Sequence, residues 1–135
     1  AGRGAIGRAG EDSVAAALEK MRWTLLDRNW RSGHLELDIV ARDHGVIVFV
    51  EVKTRAAKGM QKPYEAFGQE KKRRLVRAAR AWLQAHDAWG SACRFDLACV
   101  TAAGGEHTME LMRNVIECGD GWNAVGRGNT AWQPW

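Results

Sequence analysis

The fold of this chain is decided by the stretch LELDIVARDHGVIVFVEVK, residues 35–53. Two runs rich in β-branched and other apolar residues flank His44-Gly45, and this pattern predicts a β-hairpin with a two-residue loop. A charged group in such a run is costly to bury unless it has a partner, so these charges point to a shared site. The runs contain four such groups: Glu36, Asp38, Glu51 and Lys53.

A two-residue loop also predicts how the two strands pair. It places Asp38 opposite Glu51, and Glu36 opposite Lys53 on the same face of the sheet. Directly opposed side chains lie about 5 Å apart, and two carboxylates at that distance repel unless a proton or a cation lies between them. A three-residue loop would shift the register and remove this pairing. The apolar residues are expected to share the other, dry face: Leu35, Leu37, Ile39, Val50 and Val52.

The chemistry of these side chains suits a divalent metal. Asp38 and Glu51 offer hard oxygen ligands without histidine or cysteine, which suits Mg²⁺ or Mn²⁺. Such an ion can polarise a phosphoryl group and orient a water. Lys53 follows Glu51 by two residues, so it points to the same side and could stabilise charge on a reacting phosphate. The alternative is a cross-strand network of ion pairs, such as Glu36 with Lys53, that has no catalytic role.

Glu11 is a further candidate ligand. It opens a predicted helix over residues 11–21, and helical spacing places it on one stripe with Val14 and Leu18. The carboxylate could therefore face the sheet and reach the metal. The alternative is an exposed acid in the first turn that complements the helix dipole.

The basic residues are concentrated in one part of the chain. The net charge is only +4, but residues 53–80 hold ten of the twenty lysines and arginines and only two acids. This asymmetry predicts a polyanionic partner, and nucleic acid is the first candidate. The alternative is a solvated helix face. The side chains expected to contact phosphate are Arg55, Lys71, Lys72, Arg73, Arg74, Arg77 and Arg80.

The remaining pattern predicts an α/β domain of the order α-β-β-β-α-β-β, with a mixed central sheet of about five strands flanked by helices. One domain is expected over residues 1–116, followed by a Gly- and Trp-rich tail without regular structure over residues 117–135. The predicted elements are helix 11–21, strands 23–30, 35–41 and 46–53, a helix from 64 or 69 to 86, and strands 95–101 and 108–116.

Three cysteines without CxxC spacing argue against a disulfide framework or a zinc site, and Cys93 and Cys99 are expected to be small core residues. Asp96, beside Arg94, is expected to form a buried ion pair. No apolar run approaches the ~20 residues that span a bilayer, and the first residues contain no apolar signal-peptide segment. A cytoplasmic protein without membrane contact is therefore expected.

The charged pattern resembles the PD-(D/E)xK nuclease superfamily, in which an acid on one strand is followed by (Asp/Glu)-x-Lys on the next, here Asp38 and Glu51-Val52-Lys53. A longer string, from about residue 7 to 116, resembles the small bacterial YraN-like family, which is similar to Holliday-junction resolvases. The matching motifs are Gly10-Glu11, Asn29-Trp30-Arg31, Glu36-Leu37-Asp38-Ile39-Val40, Phe49-Val50-Glu51-Val52-Lys53-Thr54-Arg55, Lys71-Lys72 and Arg94-Phe95-Asp96.

The resemblance implies a restriction-endonuclease-like core and a Mg²⁺- or Mn²⁺-dependent nuclease that acts on nucleic acid, DNA before RNA. Asp38 and Glu51 would bind the metal, Glu11 would assist, and Lys53 would be catalytic. One departure is Leu35, where the family usually has glycine. Cutting two strands of a branched substrate would call for a homodimer, which no residue demonstrates. The alternatives are a binding module that keeps the fold without cutting, and an interaction protein that uses its Trp-rich tail.

Overall fold

The computed structural model describes the backbone of residues 5–56 and 68–116 and the side chains of residues 7–55 and 68–116. The predicted tail over residues 117–135 and most of the predicted loop after Arg55 lie outside these residues. The element order α-β-β-β-α-β-β is confirmed. The elements are α1 (Ala5–Lys20), β1 (Thr24–Ser32), β2 (Leu35–Asp43), β3 (Val46–Ala56), α2 (Gln69–Ala85), β4 (Cys93–Ala103) and β5 (Glu106–Met112).

The five strands form one mixed sheet in the order β1-β2-β3-β4-β5. Strands β1, β2 and β3 are antiparallel neighbours, β3 and β4 are parallel, and β4 and β5 are antiparallel again. A parallel pair needs a crossover connection, and α2 lies in the connection between β3 and β4. The predicted mixed sheet flanked by helices is thus confirmed.

The two helices cover opposite faces of the sheet. On β3, Val48, Val50 and Val52 pack in a core with α1, whereas Ile47 and Phe49 pack in a second core with α2. This alternation is that of a strand buried on both sides, which explains why β3 reads as a nearly continuous apolar run. A charged residue within β3 therefore enters one of two dry layers.

The turn between β2 and β3 has the predicted two-residue loop. His44 and Gly45 both have positive φ angles, 50° and 90°, as a type I′ turn requires. Asp43 pairs with Val46, and the predicted register continues to the pair Ile39 and Val50. The sequence signal for the hairpin was local, and the structure confirms it to that point.

The expectation of one dry face on β2 is wrong. Leu37 packs in the α2 core but Ile39 packs in the α1 core, although strict alternation would place both on one side. The ladder between β1 and β2 omits Asn29 and Asp38, and Asn29 has a φ of 52°. A residue in this left-handed conformation interrupts the pleat. The regular alternation of side chains between the two faces of the sheet is therefore broken at Asp38.

Three further residues have the structural role that the sequence predicted: Cys93, Cys99 and Asp96. Cys93 and Cys99 are free and buried. Asp96 is buried and accepts hydrogen bonds from Arg94 Nε at 3.1 Å and from the Asn114 backbone amide at 3.1 Å. Burial raises the pKa of Asp96, against the lowering effect of Arg94. Among the described residues, no helix has the length and apolar character to cross a membrane.

Candidate active site

The site forms where the ladder between β2 and β3 ends. Ile39 and Val50 are the last paired residues on this side of the hairpin, so the direct pairs predicted for Asp38 with Glu51, and for Glu36 with Lys53, are not formed. Instead, the backbone amide of Val52 donates a hydrogen bond to Asp38 Oδ2 at 2.9 Å. The predicted pairs are absent because the alternation of side chains is broken at Asp38. The carboxylate of Asp38 there takes the place of a backbone group as the hydrogen-bond partner of Val52.

Asp38 and Glu51 still lie close together. Both are buried, with 6% and 9% of their surface exposed. Burial, followed by the charge of Asp38, raises the pKa of Glu51 to about 7, and the lowering effect of Lys71 does not cancel this. A buried carboxylate whose ionisation is disfavoured by a neighbouring carboxylate favours a bound cation or a shared proton. The two carboxylates are neighbours as expected, although not through the predicted strand pairing, and metal binding by them stays a prediction.

Lys71 is the cation that the described residues supply. Its Nζ lies 2.7 Å from Glu51 Oε2, and about a third of its side chain is exposed. The sequence predicted that Lys71 contacts phosphate, and it missed this contact with the carboxylate. A signal was available, because Lys71 lies four residues before Leu75, which starts the buried stripe of α2. Its side chain therefore points towards the sheet rather than away from it.

A cleft of about 350 Å³ opens beside Glu51. It runs between the start of β2 and the first turns of α2, and its basic side chains are Lys71 and Arg74. The cleft thus places positive charge next to a buried carboxylate, which suits a substrate that carries phosphate. The lining residues are His34, Leu35, Glu36, Glu51, Lys71, Arg74 and Leu75.

Lys53 lies on β3 two residues after Glu51, so alternation places it on the α2 side of the strand with that carboxylate. It is half-buried. Glu36 is registered opposite Arg31 of β1, with which it forms an ion pair at 3.5 Å. The strand pairing predicted for Glu36 with Lys53 is not formed. The catalytic role of Lys53 stays a prediction.

Glu11 lies in the middle of α1 and is almost fully buried, with 1% of its surface exposed. The alternative of an exposed acid in the first turn is wrong, because the helix begins at Ala5. Glu11 Oε1 accepts hydrogen bonds from Asn29 Nδ2 at 2.9 Å and from Arg28 Nη2 at 3.1 Å. Asn29 is the residue that interrupts the β1–β2 ladder at Asp38, so Glu11 supports the point at which the site forms.

The donor chemistry of the pair fits a hard divalent cation. Mg²⁺ typically takes one or two carboxylates, together with waters and substrate oxygens, and Asp38 and Glu51 supply two. Within residues 5–56 and 68–116, no three acidic, histidine or cysteine side chains converge as a metal-binding group. Glu11 as a third ligand therefore stays a prediction.

The other basic residues of α2 divide between the cleft and the outer surface. Arg73, Arg74 and Arg77 are all exposed, and Arg74 is the one of these three that lines the cleft. Arg73 forms a weak ion pair with Glu70 at 3.5 Å, one helical turn away. Lys72 and Arg80 are half-buried. Arg55 lies near the end of β3, where it lines a separate recess of about 160 Å³ with Cys99 and Glu110.

Comparison with known proteins finds similarity over nearly the whole chain. The protein-family model described as "Uncharacterised protein family UPF0102" matches residues 10–100. A UPF0102 protein of Nitratidesulfovibrio vulgaris (strain DP4) is 50% identical over 133 residues, which cover 98% of this chain and 97% of that protein. A UPF0102 protein of Lawsonia intracellularis is 36% identical over 130 residues, 96% of each chain. One from Synechococcus sp. (strain JA-3-3Ab) is 47% identical over 97 residues, 70% of this chain and 74% of that protein.

Proposed function

The chain belongs to the UPF0102 family, and we propose that it is a metal-dependent nuclease that hydrolyses phosphodiester bonds in nucleic acid, with DNA as the first choice of substrate. The observation that carries the proposal is the buried pair Asp38 and Glu51, which lies at the end of a β-ladder and beside a basic cleft. The resemblance of Asp38 and Glu51-Val52-Lys53 to the PD-(D/E)xK signature supports the same chemistry.

Asp38 and Glu51 would hold Mg²⁺ or Mn²⁺, which when bound polarises a phosphoryl oxygen and lowers the pKa of a water. The hydrogen bond from the backbone amide of Val52 holds the carboxylate of Asp38 in place beside Glu51. Burial of both carboxylates excludes bulk water and strengthens their attraction for a cation. The protein's contribution is therefore a dry, oriented pair of oxygen ligands.

Lys53 would stabilise the negative charge that develops on the phosphate during hydrolysis. Its position two residues after Glu51 places its ammonium group on the same side of β3. Arg74 in the cleft, with Arg73 and Arg77 along the helix, would bind the phosphate backbone on either side of the reacting bond. Lys72, Arg55 and Arg80 extend this basic surface as further proposed contacts.

Branched DNA is the substrate shape that the resemblance to resolvases favours. Cutting both strands would then need two copies of the chain, so we include a homodimer in the proposal. Such a substrate, together with the free cysteines Cys93 and Cys99, favours the cytoplasm as the compartment.

A cleavage panel tests the proposal. The wild type and Glu51→Gln are incubated with single-stranded, duplex, flap and four-way-junction DNA, and with matching RNA, in Mg²⁺, Mn²⁺ or EDTA. Glu106→Gln on β5, an exposed residue, is the matched control for loss of one carboxylate. We expect metal-dependent cutting by the wild type and the control, and none by Glu51→Gln. Salt-sensitive binding without cutting in any metal would instead support a binding module.

A further inference from the structure

A lysine lies at the position beside Glu51 where the proposed function needs a cation. Lys71 Nζ is 2.7 Å from Glu51 Oε2, the distance of a strong, charge-assisted hydrogen bond. The carboxylate is nine-tenths buried, so its negative charge is poorly solvated and the lysine supplies the compensation that water does not. The ammonium group of Lys71 and a divalent ion would therefore bind the same oxygen, Glu51 Oε2.

The position of Lys71 in the helix limits where its ammonium group can go. It lies in the first turns of α2, one turn before the buried Leu75, and both residues line the cleft. About a third of its side chain remains exposed. A lysine with a flexible four-carbon stem in such a place can leave the carboxylate and enter the cleft without movement of the helix.

We propose that Lys71 competes with divalent cations for the Asp38–Glu51 pair, so that metal binds only when this ammonium group has left Glu51. The inference rests on the proposed function, because it takes these two carboxylates as the metal ligands. It changes the role of Lys71 from a phosphate contact to a residue that limits metal loading. Loss of the lysine side chain then strengthens metal binding, whereas loss of a residue that supports the site would weaken it.

Isothermal titration calorimetry with MnCl₂ tests the competition without reference to cleavage. The proteins are the wild type, Lys71→Met, Glu51→Gln and Lys20→Met. Lys20 is exposed at the end of α1, on the other side of the sheet, and controls for the loss of one positive charge. We expect Lys71→Met to bind Mn²⁺ about tenfold more tightly than the wild type, because an ion pair of this strength must otherwise be broken first. Lys20→Met should match the wild type, and Glu51→Gln should lose binding.

Thermal unfolding supplies a second readout. In EDTA, Lys71→Met should melt below the wild type because Glu51 loses its partner, and Mn²⁺ should raise its melting temperature by more than that of the wild type. Lys71→Gln, which keeps a polar side chain, replaces Lys71→Met in both measurements if the methionine variant does not fold. Both readouts then remain available.

The outcomes separate this inference from the function on which it rests. Equal or weaker Mn²⁺ binding by the Lys71 variant, with binding by the wild type that Glu51→Gln abolishes, overturns the competition and leaves the metal site intact. No Mn²⁺ binding by either the wild type or the Lys71 variant overturns the metal site, and the competition with it.

Discussion

The backbone amide of Val52 donates a hydrogen bond to the carboxylate of Asp38 at 2.9 Å, beyond the last backbone pair of the β2–β3 ladder. The carboxylate that we propose as a metal ligand thereby completes the hydrogen bonding of a buried strand. Structure and proposed chemistry are joined in one side chain, since a buried amide without an acceptor is costly. Substitutions at Asp38 can separate the two roles.

Asp38→Asn and Asp38→Ala should differ in stability and agree in function. The alanine variant leaves the Val52 amide without its acceptor and should lose about 1–3 kcal/mol of unfolding free energy. The asparagine variant keeps an acceptor oxygen and should lose less. Both variants should lose Mn²⁺ binding and cleavage, because neither has a carboxylate at position 38 and Glu51 alone supplies one of the two proposed ligands. Urea unfolding and calorimetry measure the two properties, and cleavage by Asp38→Asn at the wild-type rate would refute the assignment of Asp38 as a ligand.

Glu51 should make the metal-free protein less stable as the pH rises. Burial and the charge of Asp38 raise the pKa of Glu51 in the folded state from 4.5 to about 7. Between these values the folded state holds a proton that the unfolded state has released. The contribution is therefore fully present below pH 4.5 and is lost as the pH rises through 7, by on the order of 3 kcal/mol.

Glu51→Gln isolates this contribution, since the amide does not titrate. Urea unfolding in EDTA at pH 5, 6, 7 and 8 should show the wild type losing stability relative to the variant with each step towards pH 8. Mn²⁺ should reverse the trend in the wild type alone, because a cation favours the ionised carboxylate. A difference between the two proteins that stays constant across this range would mean that Glu51 titrates normally.

The hairpin and its charged residues could be predicted from sequence because their signals are local. His44-Gly45 indicated a two-residue turn, and alternation then gave the register from Asp43 as far as Ile39. The prediction failed where the structure depends on contacts far apart in the chain. Asn29 interrupts the pleat opposite Asp38 while its side chain binds Glu11 of α1, and no pattern within β2 carries that information. The ion pair of Lys71 with Glu51 was missed because it joins α2 to β3, whereas the phosphate contact predicted for Lys71 stays a prediction.

Gly10 should tolerate no side chain, although glycine is a poor helix former. A Cβ atom at this position would overlap Oγ1 of Thr54 on β3, where α1 crosses the strand. Alanine in a helix is usually favoured over glycine by up to about 1 kcal/mol, but the overlap should reverse the sign. We expect Gly10→Ala to destabilise the protein by about 1–3 kcal/mol. The double variant Gly10→Ala/Thr54→Ala should recover part of the loss, and a stabilised Gly10→Ala in thermal unfolding would contradict the close packing.

The outer face of α2 should contribute to nucleic-acid binding through charge alone. Arg77 is exposed on this helix, next to the buried Val76 and Ala78, so Arg77→Ala should leave stability unchanged because alanine is a good helix former. Each phosphate contact that is lost should reduce the slope of log Kd against log salt by about one. Fluorescence anisotropy with a labelled duplex, at salt concentrations from about 50 to about 300 mM, measures this slope. Lys20→Ala, with the same change in charge on the opposite side of the sheet, is the control, and an equal effect of both substitutions would show that net charge rather than the α2 surface governs binding.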